Sequence, residues 1–165
     1  TNAALWKLPE TTALSQANME SLIAGATYLN AHTPLNPTGE VRGQIAPENI
    51  LVVRTLLDGS QEVPAVVTAA TGIGYTTVDE DSGTINANVT TSDITATAAH
   101  IHNAAAGVNG GIFIPLAPVG GNANLFAASD TLTAPNVAVF KADGLYYNVH
   151  SVANGGGEIR GQIMP

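Results

Sequence analysis

Residues 84–91 alternate strictly. Ile85, Ala87 and Val89 take one parity and Asn86 and Asn88 the other, and a period of two predicts a half-buried strand. Apolar runs at 50–57 and 112–116 predict further strands, and 95–101 leads into another that ends His100-Ile101-His102. Residues 65–78 read as a strand broken at Gly72 and Gly74. Residues rich in Gly, Asn, Asp and Ser separate these runs, at 79–83, 107–111 and 120–124. Gly59–Pro64, with Glu62, reads as a turn. The period changes at 12–25, where Met19, Leu22 and Ile23 fall at helical spacing behind Ser15, a plausible N-cap, with Gly25 as the stop. A strand at 27–33, a turn through Pro34, Asn36, Pro37 and Gly39, and a strand at 40–45 then predict a hairpin. Short strands at this spacing indicate an all-β fold, an antiparallel sandwich or barrel with one or two short helices.

The hairpin is written twice. Residues 28–47, YLNAHTPLNPTGEVRGQIAP, align without a gap on residues 146–165, YYNVHSVANGGGEIRGQIMP, and 11 of 20 positions are identical. His32 matches His150, so the offset is 150 − 32 = 118 residues, and 48–165 is itself 118 residues long. The chain therefore holds one whole module, 48–165, preceded by the back half of another, 1–47. The register extends back to about residue 6, pairing Leu14 with Leu132 and Asn18 with Asn136. The second copy carries a weaker helix signal at 133–143, because Pro135 and valines replace helix formers.

Composition narrows the function classes. Net charge is −8, and the cations are only Lys7, Arg42, Arg54, Lys141 and Arg160. No basic patch can neutralise phosphates or anionic lipid, so nucleic acid and membrane surfaces are poor partners. There is no cysteine, which excludes disulfides, thiolate metal sites and cysteine nucleophiles. No run of about 18 apolar residues predicts a membrane span. A first residue of Thr and a Lys-poor, Thr/Asn-rich composition fit a processed, secreted or cell-surface protein.

His100 and His102 are two apart on a strand and share a face. With His150 they form a candidate metal site, and imidazole ligands without Cys or Met favour Cu(II) or Zn(II). Glu40-x-Arg42 and Glu158-x-Arg160 read as structural ion pairs bracing each hairpin, with an anion-steering arginine beside a metal as the other reading. Asp79, Glu80 and Asp81 read as a solvated turn rather than a calcium loop. Ser, His and Asp occur without a nucleophile elbow, and the chain reads as non-enzymatic.

Three blocks in order, LLDGSQEVPA at 56–65, AAHIHNAAAGVNGGI and LYYNVHSVANGGGEIRGQI, resemble the signatures of CHRD domains. Residues 6–47 resemble the second half only. The resemblance implies an extracellular module and a distant likeness to copper–zinc superoxide dismutases, which are Ig-like β-sandwiches. In pattern, His100 and His102 match the first two copper ligands there, His150 a later one and Arg160 the substrate-steering arginine. The chain lacks that family's Cys pair, bridging His and zinc loop, which leaves a mononuclear three-histidine site.

Half a module has apolar faces and no partner of its own. Residues 1–47 are therefore expected to dock on a neighbouring chain by donor-strand pairing. A head-to-tail contact of that kind gives a homo-oligomer, a ring or a filament. The leading expectation is a secreted, self-assembling structural protein, with a further extracellular protein partner in the manner of the family. The other is a copper-binding protein for storage, delivery or dismutase-like redox work. His32 is surplus to the metal site.

Overall fold

The computed structural model describes residues 15–23, 25–46 and 48–165. The chain divides into two compact units, Thr1–Pro47 and Glu48–Pro165.

In the first unit, helix α1 (Gln16–Ile23) is followed by strands β1 (Thr27–Ala31) and β2 (Val41–Ile45). Ser15 caps the helix, its hydroxyl accepting the Asn18 amide at 3.2 Å. Gly25 ends it, with φ at +65° and its amide on the Leu22 carbonyl. Residues 12–14 of the expected helix, Leu14 included, lie outside the described residues. β1 and β2 pair antiparallel from Thr27↔Ile45 to Ala31↔Val41. Among the described residues they form a two-stranded sheet, so each strand is paired along one edge.

The second unit runs β3 (Ile50–Asp58), a 3-10 turn (Gly59–Gln61), β4 (Thr71–Asp79), β5 (Thr84–Ser92), β6 (Ala96–Asn103), β7 (Gly111–Val119), β8 (Asn122–Thr131), α2 (Ala134–Lys141), β9 (Leu145–Ser151) and β10 (Ile159–Ile163). Its eight strands close into one antiparallel barrel, in the order β10-β3-β4-β5-β8-β7-β6-β9. The all-β expectation is thus met, with the two faces of a sandwich joined into a continuous wall. Alternate residues fill the interior: Val78, Ile85, Val89, Ile101, Tyr147, Val149, Ile159 and Ile163 are at most 1% exposed.

Three local readings need correction. The strand expected at 65–78 begins only at Thr71, because the Val66 amide turns back onto the Gly59 carbonyl. Gly72 and Gly74 do not break it: a Cβ on Gly74 would lie 2.5 Å from the Tyr147 ring, so the glycine makes room for a core side chain. β8 carries no strand signal in the sequence, since its Asn and Ala residues resemble loop, yet it pairs with β5 from Thr84↔Thr131 to Thr90↔Leu125. In α2, Pro135 sits in the first turn, where no amide is needed. α1 and α2 are themselves offset by 134 − 16 = 118 residues.

Candidate functional site

The register of three neighbouring strands positions the histidines. His100 on β6 lies opposite Asn148 on β9, which lies opposite Arg160 on β10. The next row is His102, Tyr146 and Gln162, and Ala98 lies opposite His150. Their neighbours in sequence, Ile101, Leu145, Tyr147, Val149, Ile159 and Ile163, fill the core. Side chains alternate across a strand, so the polar set occupies the outer face of the barrel wall. That face is nevertheless buried: Arg160 is 1% exposed and Asn148 3%.

Two loops cover it. Arg160 donates to the carbonyls of Ala105 and Val108 at 3.0 and 2.9 Å. Gln162 Nε2 donates to the Ala104 carbonyl, and the Gly110 amide donates to the Tyr146 hydroxyl at 3.1 Å. These bonds tie loop 104–110 over β9 and β10. Asn109 Nδ2 reaches the Val63 carbonyl, joining the loop to segment 59–64. The guanidinium of Arg160 stands 3.5 Å over the Tyr146 ring, and Tyr146 stacks on His102.

The structure brings His100, His102 and His150 together, one ligand atom from each lying within 4.8 Å of the others. His102 Nδ1 meets the Gly110 carbonyl at 2.9 Å, and His150 Nδ1 meets the Gly155 carbonyl at 3.1 Å. A carbonyl only accepts, so each Nδ1 carries the proton and each Nε2 presents a lone pair. His100 Nδ1 lies 2.9 Å from His150 Nε2 and donates to it. His102 Nε2 is buried without a hydrogen-bond partner. Backbone-fixed tautomers are how proteins orient imidazole ligands. Burial lowers the pKa of His100, and its two histidine neighbours lower it further. Burial also lowers that of His150, against the Gly155 bond. Both therefore favour the neutral form that binds metal.

Glu158 and Arg160 each take other partners. Glu158 accepts from Thr68 and Ser151, while Arg160 serves loop carbonyls and Gln162. Glu40 accepts from Thr33, and Arg42 stands 3.5 Å over Tyr28 and donates to Gln44. Arg160 is thus a clamp beneath a loop. Asp79 accepts the amides of Asp81 and Ser82, as a turn requires, and Glu80 pairs with Lys141.

The first hairpin repeats several bonds of the second. His32 Nδ1 meets the Pro37 carbonyl at 3.0 Å, as His150 meets Gly155. Gln44 Nε2 donates to the carbonyls of Gly25 and Thr27, as Gln162 does to Asp143 and Leu145. What differs is cover: Leu29 and Val41 are 65% and 66% exposed, their counterparts Tyr147 and Ile159 0%. His32 is exposed and stands outside the histidine cluster.

Glu62 is the residue that turn reading undervalued. Its carboxyl accepts from Asn148 at 3.5 Å, and burial pushes its pKa up to about 7 against the opposing charge of Arg160. The parity of Tyr146, Asn148 and His150 signals their common face in sequence, whereas nothing local signals the loops above them.

The family model for the CHRD domain matches residues 1–45 and again 53–163. No curated protein and no solved structure matches the chain.

Proposed function

The chain belongs to the CHRD domain family, and on that premise we propose that it is a secreted structural and interaction protein that self-associates through its N-terminal unit. The observation that carries this reading is the contrast between the two hairpins. In β9–β10 the outer edges pair with β6 and β3, and every strand residue is buried. The same hairpin as β1–β2 is largely exposed. Edges unpaired among the described residues, with apolar flanks, favour pairing with another chain. Each of Leu29 and Val41 gains about 1.5–3 kcal/mol if fully buried. A head-to-tail contact of this kind closes a ring or propagates a filament. Deleting residues 1–47 leaves a complete module, and light scattering compares it with the full chain. The reading expects particles larger than one chain that shrink on deletion. A single-chain particle before and after deletion refutes it.

A second reading, copper or zinc binding at His100, His102 and His150, is supported by the unpartnered His102 Nε2 and the backbone-fixed tautomers of His102 and His150. The bound ion would supply Lewis-acid or, as copper, redox chemistry. Titrating Cu(II) or Zn(II) into the full chain should give one equivalent bound. His100→Ala/His102→Ala should weaken binding more than tenfold, and equal weak binding in both leaves the histidines with structural roles.

A further inference from the structure

The two copies of the hairpin also differ in what lies on their polar face. In the second copy Asn148, Tyr146 and Arg160 form a cradle, and the Glu62 carboxyl sits in it. Asn148 Nδ2 donates to Glu62 Oε2, and Arg160 and Glu62 attract each other. Gly157, at φ +135°, gives the carboxyl its space: a Cβ there would lie 2.3 Å from Asn148 Oδ1 and 2.7 Å from Glu62 Oε1. Glu62 arrives on an extended backbone, φ −66° and ψ 159°, and is followed by Val63 and Pro64.

The first copy builds a similar cradle, in which Asn30 Nδ2 rests on the Thr38 carbonyl at 3.3 Å where Asn148 Nδ2 holds Glu62. Gly39 has φ +125° and crowds Asn30 at the same 2.3 Å, and Arg42 stands over Tyr28 as Arg160 stands over Tyr146. Tyr28, Asn30, Gly39 and Arg42 line a solvent-open cavity of about 270 Å³. Glu40, the acid at its rim, is held by Thr33 and Asn36, as Glu158 is held by Ser151 and Thr68 beside Glu62. A like charge so placed is compatible with a carboxylate in the cradle.

We infer that this cavity is a binding site for a glutamate side chain carried on an extended segment of another chain, in the pattern Glu-apolar-Pro. Charge complementarity supports the assignment, since Arg42 is one of five cationic residues in a chain of net charge −8. The count within the chain supports a partner from outside. There are two cradles and one Glu-Val-Pro sequence, and its glutamate is already engaged by Asn148. The inference deepens the reading of this unit as a contact element. It can also fail separately, because copies can pair by strand edges without filling the cradle.

The probe is a synthetic decapeptide, LLDGSQEVPA, titrated into the isotope-labelled full chain at a concentration where the particle is a single chain. Amide shifts at Asn30, Gly39 and Arg42 should saturate. A peptide with Gln for the Glu, and separately the Arg42→Ala chain, should each bind about tenfold more weakly or worse, the scale of one charge-assisted hydrogen bond. No saturation at millimolar peptide, equal binding of the Gln peptide, or shifts confined to residues 48–165 would overturn the inference. The peptide comparison needs no protein variant, so it decides even if Arg42→Ala disturbs the hairpin.

Discussion

Glu62 Oε1 and Asn148 Oδ1 are buried without partners, and both lie against the position of a Gly157 Cβ. Two acceptors cannot satisfy each other, but a protonated Glu62 can donate to Asn148. That accords with a Glu62 pKa raised from 4.5 to about 7. Between these values the folded chain holds a proton that the unfolded chain has released. Stability therefore falls as pH rises from about 4.5 through 7. Glu62→Gln removes the titrating group and should flatten this slope in urea unfolding from pH 4.5 to 8. An unchanged slope would assign the dependence elsewhere. At the same scale, Gly157→Ala should cost more than about 2 kcal/mol in unfolding free energy, because both the positive φ and the crowding by Asn148 oppose a side chain. None of this was legible in the sequence, where Glu62 reads as a turn residue: its partners are 86 and 98 positions away.

Among elements, the paired hairpins allow one substitution to be made twice. Arg160 is buried under loop carbonyls and Arg42 is exposed, although both stack on a tyrosine at 3.5 Å. Arg160→Ala should cost on the order of 3 kcal/mol, by orphaning the carbonyls of Ala105 and Val108. Arg42→Ala should stay within about 1 kcal/mol. Thermal unfolding of the two variants checks this, and equal losses would mean that Arg42 is as covered as Arg160. The sequence made the hairpins, their 118-residue offset and the shared face of His100 and His102 readable, because parity and repetition are local. It left the partners of Glu158 and Arg160 open, since one strand face does not decide between a neighbouring carboxylate and a loop folded over from position 104. β8 escaped because small residues give alternation little contrast, and its place is fixed by β5 and β7 on either side.

At the scale of the whole molecule, a complete barrel is joined to an α–β–β unit that repeats the last third of that barrel. The repeat could be counted in the sequence. What could not be counted was that the barrel closes with its own hairpin in place, leaving the first hairpin with its outer edges unpaired among the described residues. The central claim is that this hairpin is a contact surface between chains. Amide hydrogen exchange of the full chain across a concentration series tests it most directly. Protection on the outer edges of β1 and β2 should rise with concentration, while β9 and β10 stay protected throughout. Rapid exchange in β1 and β2 at every concentration, from a particle that remains a single chain, would contradict it.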